Sequence, residues 1–284
     1  MTDFLDFFSS IPPAWRSLIL ACGIVLFWIL EGSIPLSRAA YRRYRHAGIN
    51  LVFTVTTLVV NLGFAFLIVR AAFRVDANEW GLLHMGQFPL WARVVGGLLL
   101  LDLVGAWLVH FLEHKAKWMW RFHLIHHTDT HVDVTTALRH HPGESVFRAV
   151  FTILGVLVAG TSIGIVMLYQ SLSALFSQFN HANIRLPQRV ERTLSWIIVT
   201  PDMHKVHHHW KQPQTDSNYG NIFAIWDRLF GTYDATAAED IRYGIDTHMD
   251  PEENDRLGNL FAIPFQPYRE PGSDEKRIRP DFNE

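Results

Sequence analysis

Apolar positions along this chain fall into long blocks rather than short amphipathic runs. Ser17 to Ser37, Asn50 to Phe73 and Leu90 to Phe111 each reach the roughly 20 mostly apolar residues that cross a bilayer. A fourth block, from Val146 to about Phe179, is longer and is interrupted at Ala159-Gly160-Thr161-Ser162-Ile163-Gly164. The interruption predicts a hairpin of two helices over 146–180 rather than one rod. The pattern therefore predicts an all-α integral membrane protein with four or five transmembrane helices, about 17–37, 50–73, 90–111 and the hairpin.

The polar segments between these blocks set an orientation. Arg38, Arg42, Arg43 and Arg45 crowd the first loop, which predicts that it is cytoplasmic. Lys115, Lys117 and Arg121 follow the third block and agree. A hairpin at 146–180 starts and ends on that same side. Two polar regions, 110–141 and 181–209, should therefore meet as a helical cap on the cytoplasmic face of a multi-pass protein. Residues 1–234 read as one membrane-embedded domain, and residues 235–284 as a polar cytoplasmic C-terminal tail. The first residues carry Asp3 and Asp6 where a secretory signal would be basic, so the first block reads as a retained anchor.

Composition narrows the function. The 284 residues are 49% hydrophobic and 18% charged with a net charge of −2, which gives no case for a nucleic-acid partner. Cys22 is the single cysteine, which excludes disulfides, thiolate iron–sulfur sites and cysteine-ligated haem. Histidine is the outlier, with 16 in the chain, mostly between His110 and His209.

These histidines share a spacing. His110 and His114 in HFLEH are four apart, at the end of the third apolar block. His123, His126 and His127 in HLIHH occupy positions i, i+3 and i+4, and His204, His207 and His208 in HKVHH repeat them. On a helix such residues lie on one face, so their imidazoles converge. Eight neutral imidazoles suffice for two metal ions and leave positions open, but imidazole suits iron, zinc, copper and nickel alike. His181 ends the hairpin and would return to the site. His141, in RHHPGE, is a candidate ligand or a helix-start residue beside Pro142 and Glu144. His131, His140 and His209 read as bystanders, and His46, His84 and His248 as unrelated. Asp102, deep in the third block, reads as an outer-shell partner for a ligating histidine. Ile222 to Phe230 reads as an amphipathic cap over the site, anchored at the interface by Trp226, with Asp227 and Arg228 in structural pairs. No catalytic residue separate from the metal site stands out.

With HFLEH, HLIHH and HKVHH in order, followed by TDTHVDVTTALRHHPGE and DSNYGNIFAIWDRLFGTY, the chain resembles the membrane-bound fatty acid hydroxylase and sterol desaturase superfamily over about Leu90 to Asp234. The resemblance implies two non-haem iron ions held by the eight box histidines, with O2 as co-substrate, at the cytosolic membrane face. It implies hydroxylation or desaturation of a C–H bond of a membrane lipid, whether fatty acyl, sterol-like or sphingoid. It also raises His181 as a ligand. Electrons would come from a separate partner, cytochrome b5-like or a ferredoxin with its reductase. An ether-lipid monooxygenase of the same superfamily is a near variant. A metal transporter or a zinc-binding membrane scaffold is the reading from other classes.

Overall fold

The computed structural model describes residues 2–38 and 40–272, and these form helices and turns with no β-strand. The end of the polar tail, 273–284, lies outside the described residues. In chain order the helices are α1 (Thr2–Ser9), α2 (Pro13–Ser33), α3 (Arg43–Asn78), α4 (Leu90–Lys115), α5 (Lys117–His127), α6 (Pro142–Ala159), α7 (Ile163–His181), α8 (Gln188–Leu194), α9 (Pro201–His207), α10 (Ile225–Leu229), α11 (Pro251–Asn254) and α12 (Leu257–Ala262). Among the described residues, α2, α3, α4 and α6 are long and apolar enough to cross a membrane. Their outward side chains are apolar, as Val25, Ile29, Val59 and Leu62 illustrate.

Helix limits differ from the hydropathy blocks for local reasons. Pro13 and Pro142 stand at first helical positions, where a missing N–H costs nothing, so α2 and α6 begin four residues earlier than their apolar blocks. Within α4 the turn Leu103–Leu108 is π-helical, an irregularity often found at functional sites. The last helix of the hairpin, α7, carries Gln170, Ser171 and Gln178 because it is central and largely buried rather than facing lipid.

The long apolar stretch breaks at Gly160 into α6 and α7. Gly160 ends α6 at φ 72°, and Gly81, at φ 94°, lies directly against it. A Cβ on Gly160 would come within 2.3 Å of the Trp80 carbonyl oxygen, so both the left-handed backbone and the close approach require glycine. Gly160→Ala should therefore destabilise the protein by roughly 3 kcal/mol, read as a lower thermal unfolding midpoint in detergent. Gly231→Ala is the matched control, because Gly231 has φ 71° but open space around it, so only the backbone strain of about 1 kcal/mol remains.

The largest core cluster joins α1, α3, α4, α6 and α7 through Leu5, Phe8, Ala72, Leu101, Val156 and Val166. Buried Glu31 at the end of α2 ties this bundle to the cap by accepting from Val134 N at 2.7 Å and Asn183 N at 2.8 Å. Segment 257–265 also packs on α5, where Leu260 and Ile263 meet Leu124 and Ile125. The hairpin returns His181 to the end of the bundle where α4 leaves His110 and His114. Everything with chemistry gathers there.

Candidate metal centre

Nine histidines form two buried groups. His110, His114, His123, His127 and His207 make the larger, and His126, His181, His204 and His208 the smaller; within each group the ring nitrogens all lie within 4.8 Å of one another. Each HxxHH triplet is shared between them. His123 and His127 join the larger group while His126 turns to the smaller, and His204 and His208 join the smaller while His207 turns to the larger. Residues i+3 and i+4 lie about 100° apart around a helix, so one triplet reaches two neighbouring points rather than one.

Helix starts and turns fix this exchange. Thr200 caps α9, its Oγ1 accepting from Met203 N, and Pro201 occupies the first turn. On α5 the histidines fill the last turn.

Hydrogen bonds at Nδ1 then aim the rings. His110 Nδ1 donates to the Tyr219 carbonyl at 2.8 Å, His207 Nδ1 to the Ser217 carbonyl at 2.7 Å, and His181 Nδ1 to the Ser177 carbonyl at 2.6 Å. His123 Nδ1 pairs with Glu144 Oε1 at 3.0 Å and His114 Nδ1 with Asp216 Oδ1 at 3.1 Å. A carbonyl can only accept, so these rings carry the proton on Nδ1 and, when neutral, a bare lone pair on Nε2.

The Nε2 atoms of these and neighbouring rings face one another. His110 Nε2 and His123 Nε2 are 3.1 Å apart, His123 Nε2 and His127 Nε2 3.2 Å, and His181 Nε2 lies 3.0 Å from both His126 Nε2 and His204 Nε2. His114 Nε2 and His207 Nε2 are buried without any hydrogen-bond partner. Adjacent nitrogens around an ion at about 2.1 Å stand about 3 Å apart, so the spacing fits a metal at the centre of each group. Burial, reinforced by the neighbouring imidazoles, holds His123, His126, His127, His204 and His208 well below the ordinary histidine pKa. His207 falls to about 4, again chiefly through burial. The rings are therefore neutral at pH 7, the form that binds a metal.

Around the larger group lies an ionic cluster that spacing alone did not reveal. Buried Glu144 accepts from His123, from His140 Nδ1 at 2.9 Å and from Arg148 Nε at 2.7 Å, while Arg148 also donates to buried Glu113 at 2.7 Å. The RHHPGE segment points to His141 as the candidate ligand, but its neighbour His140 holds the place beside the centre. His140 stacks on His126 with ring centroids 4.3 Å apart. His141 belongs to neither group; its Nδ1 accepts from Gly143 N and caps α6, the helix-start alternative.

Asp102 is likewise corrected, since it contacts no histidine. It accepts from Ile222 N, Phe223 N and Trp226 Nε1 at 3.1–3.3 Å. Asp227, for its part, accepts from Tyr219 N, Gly220 N and Trp107 Nε1. The two carboxylates thus pin the 217–227 loop, whose Ser217 and Tyr219 carbonyls aim His207 and His110. Trp226 is buried by this role and does not anchor the interface; Trp196 and Leu229 point outward instead. Arg228 stacks on Trp196 and Tyr233 and forms no ion pair among the described residues.

An all-helical bundle with four helices long enough to cross a membrane, capped by two groups of buried imidazoles, defines a membrane metalloprotein class. Residues 94–232 match the family model for fatty acid hydroxylase. The chain is 22% identical over 242 residues to the ornithine lipid hydroxylase OlsE of Rhizobium tropici, covering 81% of this chain and 70% of that protein. It is 26% identical over 243 residues to the alkylglycerol monooxygenase of Homo sapiens, covering 86% and 51% respectively. A cholesterol 25-hydroxylase-like protein of Danio rerio is 29% identical over 153 residues, 52% of this chain and 60% of its own. The match thus spans most of the first relative's length and about half of the second's. No solved structure matches the chain. Residues 94–232 thus carry a fatty acid hydroxylase domain, and the relatives it resembles are hydroxylases and monooxygenases of that superfamily.

Proposed function

We infer that this protein is a di-iron oxygenase that hydroxylates or desaturates a C–H bond of a membrane lipid, with His110, His114, His123, His127 and His207 holding one ion and His126, His181, His204 and His208 the other. The observation that carries this reading is the set of facing, buried Nε2 atoms about 3 Å apart in both groups. When bound, the two irons supply O2 activation and removal of hydrogen from an unactivated carbon. Hydroxylation consumes O2, two electrons and two protons and yields an alcohol and water; desaturation consumes the same and yields an alkene and two waters.

The chain's own contribution is placement. Glu144, Asp216 and the Ser217, Tyr219 and Ser177 carbonyls hold the imidazoles in their binding tautomers. A cavity of about 40 Å³, bordered by Ala106, His110, His126, Arg148 and His181, has room for a small molecule between the groups. Five imidazoles in the larger group exceed the four ligands of a tetrahedral zinc site, which favours iron over a zinc scaffold. All nine histidines at one end of the bundle also argue against transit of a metal across it. Alkylglycerol monooxygenases among the relatives support an ether lipid as the near variant, while the ornithine lipid hydroxylase supports an amino-acid lipid. The electrons would come from a separate cytochrome b5-like protein or ferredoxin and reductase, and the histidine end of the bundle would face the cytoplasm.

Metal analysis of purified protein, joined to untargeted lipidomics of cells with and without the chain, tests the proposal. Two irons per chain and a lipid shifted by one oxygen or by loss of two hydrogens are expected. Zinc alone, with no oxygen consumed, would sink it.

A further inference from the structure

One face of α7 joins the histidines to a second, larger cavity. Ile163, Met167, Gln170 and Ala174 border a cavity of about 460 Å³, and Ser177 and His181 border the small one between the histidine groups. These positions step by four and three in alternation, which keeps them on one side of a helix along about 27 Å. Arg148 borders both cavities, and about a third of its side chain stays open although its partners Glu113 and Glu144 are fully buried. The volume is that of a pocket for one small ligand, and walls such as Phe8, Ile68 and Met167 are apolar.

Among the polar groups bordering this cavity, which include Arg148, Thr152 and Gln170, Arg16 is the cation without a carboxylate partner among the described residues. It lies in the first turn of α2, where the helix dipole disfavours a cation, and forms no ion pair among the described residues. Its one hydrogen bond is from Nη2 to Gln170 Oε1 at 3.1 Å. Exposed Trp15 beside it places this turn at interface level, and α1 packs Phe8 across the cavity's edge. An unpaired guanidinium beside an apolar cavity at the far end of the bundle is costly unless a ligand matches it. Arg16 and the Gln170 amide N–H offer donors only, so the match is an anionic or acceptor-rich head.

We propose that this cavity binds a single-chain amphiphile, its carboxylate or phosphate head on Arg16 and Gln170 and its chain running along α7 past Arg148 to the histidines. This rests on the lipid-oxidation reading and deepens it. Gln170 and His181 are about 16 Å apart along the helix, so the carbon beside the histidines is remote from the head. Entry is from the membrane face opposite the cap, framed by α1.

Photolabelling of the purified full chain tests this, using palmitate and hexadecyl phosphate that each carry a diazirine at the methyl end. Label is expected at the cap end of α7, near Ser177 and His181, and the more strongly captured probe identifies the head. Arg16→Gln should cut labelling about tenfold, the worth of a charge-assisted hydrogen bond. Ala174→Phe, which fills the cavity, should abolish labelling at Ser177, with bound metal unchanged in both variants. Label outside the cavity, or Arg16→Gln labelled like the unmodified chain, would overturn the proposal even if lipid is oxidised. Labelling as expected with no oxidised lipid in cells that carry the chain would instead support the cavity and remove the oxidation reading.

Discussion

Replacing His126 by alanine is expected to abolish lipid oxidation and empty the smaller histidine group, while the protein still inserts and folds. That group has only four imidazoles, and His126 Nε2 sits 3.0 Å from His181 Nε2. Deleting the ring leaves three nitrogens and a gap on the side where His140 stacks. The fold loses one buried ring from a centre joined by α4, α5, α7 and α9, a cost of about 2–3 kcal/mol that leaves the bundle intact. His141→Ala is the informative contrast. It removes a helix cap worth about 1 kcal/mol and touches neither group, so metal content and activity should persist. Metal per chain, product by mass spectrometry and recovery in the membrane fraction read the pair. Activity surviving in His126→Ala, or metal lost from His141→Ala, would contradict the assignment of ligands.

That contrast also shows what the chain discloses before it is folded. Repeated HxxHH and HxxxH spacing exposes eight of the nine histidines, because helical periodicity alone gathers residues three and four apart. His181 follows from the hairpin, whose signal is the flexible Gly160 stretch. The division of each triplet between two groups is not legible, since it depends on how α5 and α9 face one another. Nor are the groups that aim the rings. Tyr219 and Ser217 act through carbonyls, which every residue carries, so no side-chain letter marks them. Asp102 carried the expected chemistry of a histidine partner, but the π-helical turn lies between it and His110, and its carboxylate meets the backbone of the 222–226 segment instead. Glu144 looked like a first-turn acid complementing the helix dipole. Its contacts to His123 and His140 appear only once α6 lies beside α5.

Glu144 consequently carries the second large expectation. Its Oε1 collects three donors, from His123, His140 and Arg148, in a fully buried position. Glu144→Ala should weaken metal binding about 100-fold by freeing His123 from its tautomer and orientation. It should also cost about 3–5 kcal/mol, because Arg148 keeps only Glu113 as a buried counter-ion. Glu144→Gln separates the two effects. An amide oxygen still accepts at nearly the same place, so the ring stays aimed, but the charge that makes His123 a stronger donor to the metal is gone; about a tenfold loss of affinity is expected. Glu113→Gln should weaken binding least, since Glu113 Oε2 is 3.7 Å from His123 Nδ1, beyond a hydrogen bond. Metal titration of the three variants, with unfolding midpoints measured on the same samples, should rank the losses with Glu144→Ala largest, Glu144→Gln next and Glu113→Gln smallest. Equal losses for Glu144→Gln and Glu144→Ala would mean that charge, not ring placement, is what Glu144 supplies. A Glu113→Gln variant weaker than both would move the controlling carboxylate to α4, and with it the contact that tunes the larger histidine group.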